Sequence, residues 1–239
     1  MSGETPAGGT PTRGSPRPPP QAFCFDLDET LVDAEHHHQR ATVAMLDALG
    51  YPHDAARDVF HDVVGRRTRD ILDGFRLAVG ATQDLDEILA LRHSAYLAAL
   101  DESPAVPMPG AREVVEACRA RGPMAVVSSG YRDDILETLR SAGLAGLFDT
   151  VVTGEDVLEP KPHPEPYKVA ASRLGVRPQD ILVFEDSAKG VASAIEAGCR
   201  VVAVPNVRTT KPDAVALAHV VLGSLEEALP LDALLRRLQ

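Results

Sequence analysis

The sequence predicts an α/β fold: a doubly wound parallel sheet with a helical module inserted after its first strand. Three observations predict it. Short apolar runs recur along the chain and end in polar or acidic residues; segments of helical spacing lie between them; and one long stretch, 34–105, has helical spacing and no convincing strand. Strands that alternate with helices through short loops must run parallel, because parallel neighbours need crossover connections, and the crossovers cover both faces of the sheet.

The elements follow in chain order. Residues 1–21, rich in Pro, Gly, Thr and Ser, offer little to bury and read as a disordered tail, and their RPPP stretch alone does not define a docking peptide. AFCF from Ala22 is too short for a helix and suits a strand buried on both faces. Residues 22–33 and 106–239 form the α/β core and 34–105 the inserted module, with helices expected at 36–49, 55–64, 68–79 and 85–100, punctuated by Gly50, Gly65 and Gly80. Pro104, Pro107 and Pro109 mark the return to the core. Further strands are expected at 124–129, 148–154, 181–186, 200–205 and 219–224, and helices at 111–121, 133–142, 164–174, 188–197 and 213–218.

Composition narrows the function. The chain has 239 residues, 44% of them hydrophobic, and a net charge of −11. That charge argues against general binding to nucleic-acid phosphates or anionic membranes, so any phosphate site must be local. Three widely spaced cysteines, Cys24, Cys118 and Cys199, suggest neither a disulfide framework nor a zinc site and fit a reducing cytoplasm. The sequence has neither the apolar length of a membrane span nor a signal-peptide core. A monomer or loose homodimer is the default expectation.

Ligands of open α/β sheets bind outside the carboxyl ends of the strands. Asp26 and Asp28 close the first predicted strand, Ser128 and Ser129 the second, and Glu185 and Asp186 the run ILVFED, while Lys161 lies in the loop after the third. Residues two apart in extended chain face the same side, so Asp26 and Asp28 can face one ligand. Clustered carboxylates repel and need a cation or protons; with Glu185 and Asp186 added, a hard divalent ion such as Mg²⁺, which takes carboxylate and phosphate oxygens, is the economical answer. A serine hydroxyl and backbone N–H groups can hold phosphoryl oxygens, so the set matches the needs of phosphoryl transfer. Singly, each of these motifs reads as a turn or a solvated loop; their joint placement after successive strands does not.

These residues resemble the haloacid dehalogenase superfamily, in its branch with an inserted helical cap. FDLDETLVD is similar to its first motif, VVSSG to the second, Lys161 in KPHPEPY to the third, and VFEDSAKGVASAIEAG to the fourth. The resemblance implies a Rossmann-like core and a Mg²⁺-dependent phosphatase of a small phosphorylated metabolite. Asp26 would be the nucleophile that carries an aspartyl-phosphate, and Asp28 the acid and base, its backbone carbonyl also on the metal. Ser128 and Lys161 would hold the phosphoryl group, Ser129 and Gly130 would contribute to substrate binding, and Asp186, with Glu185 directly or through water, would bind the metal. Thr30 would orient the first-motif loop or cap the following turn. Glu29 stands where the family commonly has glycine and is given no catalytic role. Asp28 separates the chain from the dehalogenases. The alternative is a β-phosphoglucomutase-like phosphosugar mutase, which shares all four motifs. A receiver-type phosphoacceptor is disfavoured, since it needs neither the helical insertion nor an acid two residues after the phosphoacceptor.

In the cap, His36, His37 and His38 cannot converge on one ion, because successive helix positions diverge by about 100°. Two are expected to be exposed and one to face the cleft; His38 aligns with a histidine that couples substrate to cap closure in the mutase branch. In VVGRRTRDIL, Arg66, Arg67 and Arg69 offer donors suited to an anionic or polyhydroxyl substrate and are candidates for specificity, with Arg66 and Arg69 three apart on one helix face, although a solvated basic face explains all three equally well.

Overall fold

The computed structural model describes residues 18–54, 66–206 and 215–238. Most of the predicted tail, the expected helix at 55–64, Gly65 and the start of the expected helix at 213–218 lie outside these residues. Residues 18–21, assigned above to the tail, are instead tied to the core: Arg200 Nη1 donates to Pro18 O (2.8 Å) and Gln21 N to Asp180 O (2.7 Å). Residues 215–218 form turns and no α-helix.

Strand β1 (Ala22–Phe25) leads through β2 (Val32–Asp33) into the insertion, whose helices among the described residues are α1 (Glu35–Leu49), α2 (Thr68–Val79) and α3 (Leu85–Glu102). The chain returns through β3 (Val106–Pro107), antiparallel to β2, so a two-stranded ribbon brackets the insertion. Then follow α4 (Ala111–Arg119), β4 (Met124–Val127), α5 (Arg132–Ser141), β5 (Thr150–Val152), α6 (Glu165–Leu174), β6 (Ile181–Glu185), α7 (Ala188–Ala197), β7 (Arg200–Ala203), β8 (Val220–Val221) and α8 (Leu231–Arg237).

Six parallel strands form one sheet in the order β5-β4-β1-β6-β7-β8. The chain winds outward from β1 on one side and then on the other, so the switch in strand order falls between β1 and β6, where such sheets open a crevice. Alternation along the strands builds two cores. Phe23, Phe25, Met124, Val126, Leu182 and Phe184 face α4, α5 and α8, and Ala22, Cys24, Ala125, Val127, Ile181 and Val183 face α6 and α7. Phe25 stacks on Phe184 at 4.9 Å across the switch point, which fixes β1 against β6. The insertion has a small core of its own, with Met45, Leu46, Leu72, Phe75 and Ile88 buried together. No described helix is long and apolar enough to cross a membrane.

Candidate active site

The first side chain past β1 is Asp26, whose backbone N–H donates to Phe184 O (3.0 Å) and so sits at the β1/β6 switch point. Lys161 Nζ donates to Asp26 Oδ1 (2.7 Å), Glu185 Oε1 (2.6 Å) and Val127 O (3.0 Å). The loop that carries Lys161 is braced from both sides. Asp156 accepts from Thr153 N, Thr153 Oγ1, Arg132 and Arg173, and Glu165 accepts from Leu158 N and Glu159 N. Burial works against the Asp156 charge, but the Arg173 and Thr153 hydrogen bonds prevail and hold its carboxyl down at about 2.

Glu185 closes β6 and is enclosed. Its Oε1 also accepts from Tyr167 Oη (3.3 Å), and its Oε2 accepts from Ser187 N (2.8 Å) and Ser187 Oγ (3.0 Å). Ser187 in turn caps α7 by accepting from Gly190 N (3.0 Å). Gly190 is required here by space: a Cβ would stand 1.6 Å from Glu185 Oε1. Asp186 is buried beside it, and Thr30 Oγ1 donates to Asp186 Oδ1 at 3.4 Å.

One carboxylate oxygen each from Asp26, Glu185 and Asp186 lies within 4.8 Å of the others. Burial, only partly offset by Lys161 and reinforced by Glu185, pushes Asp26 up to about 8. Burial and then Glu185 push Asp186 well above the ordinary carboxylate range. Lys161 is affected in the opposite sense: burial opposes its charge, but Asp26 and Glu185 outweigh it and keep it firmly protonated. One lysine therefore does not neutralise the cluster. Buried oxygen donors still carrying this repulsion are what a hard divalent cation fits.

Ser128 follows β4, with its N–H on Val152 O (3.0 Å) and its Oγ accepting from Gly130 N (3.1 Å). Gly154 N donates to Gly130 O (3.1 Å), and a Cβ on Gly154 would come within 2.7 Å of Ser129 O, so this close approach joins the loops after β4 and β5. Ser128 is thus placed at the edge shared with Asp26 and Lys161, with Ser129 and Gly130 in the adjoining loop.

Asp28 is held apart from the carboxylate cluster. Its Oδ1 lies 3.2 Å from His38 Nε2, and Arg92 Nη2 lies 2.8 Å from His38 Nδ1. Burial would raise Asp28, but the hydrogen-bonded His38 ring and the Arg92 and Lys161 cations draw it below the usual carboxylate value. Glu29 has a left-handed backbone (φ 62°), the conformation that explains a glycine there, and its carboxylate is engaged by the start of the insertion and by Asn206. Its Oε1 accepts from Ala34 N (3.2 Å) and Glu35 N (3.1 Å), capping α1, and its Oε2 accepts from Asn206.

The expectation for the histidines needs correction. Only His36 is exposed; His37 is fully buried with its Nε2 2.6 Å from Ser103 O, and His38 faces the site. His37, Ala41 and Met45 form one buried stripe on α1, so helical periodicity carried the signal. Two of the three candidate arginines, Arg66 and Arg69, are not brought to the cluster. Arg66 is exposed, and Arg69 pairs with Asp86 (3.1 Å) in solvent. The arginine that crosses to the core is Arg67, bidentate to Asp70 and donating through Nη1 to Val157 O (3.3 Å) and Leu158 O (3.0 Å). Sequence reading also missed Tyr167, Ser187, Gly190 and Arg92. Of these, Arg92 left a trace, a cation within the otherwise apolar stripe Ile88, Leu89, Tyr96, Ala99.

Residues 23–204 match the haloacid dehalogenase-like hydrolase family. The validoxylamine A 7'-phosphate phosphatase of Streptomyces hygroscopicus subsp. limoneus is 36% identical over 206 residues, covering 85% of this chain and 93% of that protein. Hexitol phosphatase B of Escherichia coli O157:H7 is 29% identical, over 89% of this chain and 96% of its own. Among solved structures, a putative β-phosphoglucomutase from Thermotoga maritima superposes with a TM-score of 0.69 at 28% identity, covering 89% of this chain and 98% of that one.

Proposed function

The chain belongs to the haloacid dehalogenase-like hydrolases and is a phosphoric monoester hydrolase of that family; on this premise we propose that it hydrolyses the phosphomonoester of a small sugar or polyol through an aspartyl-phosphate on Asp26. The observation that carries the reading is the separation of two carboxylates two residues apart. Asp26 points to Lys161 and the acidic cluster, whereas Asp28 points to His38. Two carboxyls in different environments suit two roles.

In the first step Asp26 attacks phosphorus, the bond from phosphorus to the leaving oxygen breaks, and Asp28 gives its proton to that oxygen. Approach of the substrate's negative charge raises Asp28 and favours its protonated form. In the second step Asp28, again a carboxylate, takes a proton from water, the hydroxide displaces Asp26 from phosphorus, and inorganic phosphate leaves. Lys161 and the Ser128 hydroxyl with its neighbouring backbone N–H groups bind phosphoryl oxygens throughout. Asp26, Asp186, the Asp28 carbonyl and Glu185 would hold Mg²⁺, which when bound offsets the phosphoryl charge. The insertion acts as the cap that excludes bulk water and selects the leaving group, with His38 on its first helix and Ser129, Gly130 and Thr30 on the core side of the cleft. Three free, buried cysteines support a reducing cytoplasm.

Relatives named for phosphatase action on a hexitol and on validoxylamine A 7'-phosphate favour a polyhydroxylated leaving group and hydrolysis over the mutase reaction. The test is phosphate release from a panel of hexose, hexitol and other small phosphomonoesters with Mg²⁺ at neutral pH. Turnover should be abolished in Asp26→Asn; wild-type turnover in that variant overturns the nucleophile. Glucose 1-phosphate supplied with glucose 1,6-bisphosphate should give phosphate, and glucose 6-phosphate without comparable phosphate release would establish the mutase instead.

A further inference from the structure

Asp134 lies in the first turn of α5, on the core, yet its carboxylate is claimed by the insertion. It is buried and accepts from two consecutive residues of α3: Arg92 Nη1 at 2.9 Å on Oδ2, and His93 Nδ1 at 2.5 Å on Oδ1. The other terminal nitrogen of Arg92 meets His38 Nδ1 at 2.8 Å. A guanidinium only donates, so His38 Nδ1 carries no hydrogen, and the neutral ring has its single N–H on Nε2, which faces Asp28 Oδ1. A second anchor stands one turn along each helix. Tyr96 on α3 has its hydroxyl 2.8 Å from Thr138 Oγ1 on α5, and its ring stacks on His38 at 4.8 Å. The hydrogen bonds thus run from Asp134 through Arg92 and His38 to Asp28, across three helices and into the first-motif loop.

We propose that Asp134 is a positioning residue for Asp28: by holding Arg92 it fixes the His38 tautomer whose N–H meets the Asp28 carboxylate. An ion pair that merely joined two helices would need neither the aim of the second Arg92 nitrogen at His38 nor the stacking of Tyr96 on the same ring. The proposal rests on Asp28 being the acid and base, so its test includes a reading that does not depend on turnover.

The full chain, labelled with ¹⁵N-histidine, is compared with Asp134→Asn, which keeps an acceptor at the position but removes the charge; His38→Asn assigns the His38 signals. The wild type should show His38 as the Nε2–H tautomer, and Asp134→Asn should shift it toward a mixture. Turnover should fall roughly tenfold in kcat in Asp134→Asn with KM within about twofold, and the same substitution in the His38→Asn background should cost less than about twofold. If Asp134→Asn does not fold, Arg92→Met, which cuts the link beyond Asp134, carries the same readings. An unchanged tautomer, or an undiminished loss in the His38→Asn background, overturns the proposal. Full turnover in Asp28→Asn together with a shifted tautomer in Asp134→Asn would refute the acid–base reading and leave the positioning of His38 established.

Discussion

The sheet edge and the helical insertion hold their charges in different ways. At the edge, Lys161 is fixed by Asp26, Glu185 and Val127 O, and Glu185 by Lys161, Tyr167 and Ser187, all within the buried core. On the insertion, Arg69 meets Asp86 and Arg76 meets Asp73 in partly or fully exposed single pairs. Groups that must meet a reacting phosphorus in one geometry are over-determined by several partners, since displacement by a fraction of an ångström costs rate. Groups that face solvent or varied substrates are held by pairs worth little. Where the insertion does carry a buried pair, Arg92 with Asp134, it is directed back at the site.

The largest effect that probes this contrast comes from one carbon atom. Alanine normally stabilises a helix interior relative to glycine by about 1 kcal/mol. At Gly190 the sign should reverse, because its Cβ would overlap the Glu185 carboxylate and force that group away from Lys161. Gly190→Ala is expected to lower kcat by roughly a hundredfold or more, equivalent to about 3 kcal/mol, with the far-ultraviolet circular dichroism unchanged. Retained activity would mean that Glu185 need not be over-determined.

How much was legible follows the same division. Asp26, Ser128, Lys161, Glu185 and Asp186 could be read because apolar runs mark strand ends, and the ends of parallel strands converge whatever the details of packing. The boundaries of α1 and α2 were legible from their spacing and terminal glycines, and the start of α3 from its spacing, whereas its end falls at Glu102 before Ser103, two residues past the expected one. The partner of Arg92 was not: Asp134 reads as an ordinary first-turn acid that favours the helix dipole, and only the docking of α3 on α5 brings residues 42 apart in sequence into contact. The choice of Arg67 over Arg66 and Arg69 was hidden similarly, since it depends on where α2 begins relative to the loop at 157–158.

A smaller effect is expected where the two regions join. Glu29 combines a left-handed backbone, which costs a residue other than glycine about 1 kcal/mol, with a cap on α1 worth about the same. Glu29→Ala loses the cap and keeps the unfavourable backbone, so it should destabilise by about 1–2 kcal/mol in denaturant unfolding. Glu29→Gly loses the cap but removes the backbone cost, and should fall within about 1 kcal/mol of wild type. Equal stability of the two variants would show that the left-handed conformation is not what makes glycine suitable there.

The smallest effect is expected at the exposed pairs of the insertion, and two neighbouring arginines isolate it. Arg67 spans from α2 to the carbonyls of Val157 and Leu158, so Arg67→Ala removes a bridge between the insertion and the loop that leads to Lys161. It should raise KM several-fold, about 1 kcal/mol, with a smaller change in kcat. Arg69, two residues on, reaches only into solvent toward Asp86, and both side chains are more than half exposed (52% and 81%). Arg69→Ala should therefore change stability by less than about 0.5 kcal/mol and leave KM within about twofold. If Arg69→Ala raised KM as much as Arg67→Ala, the insertion would have to present a different face of α2 to the substrate during turnover, and the solvated pairs would belong to the binding surface after all.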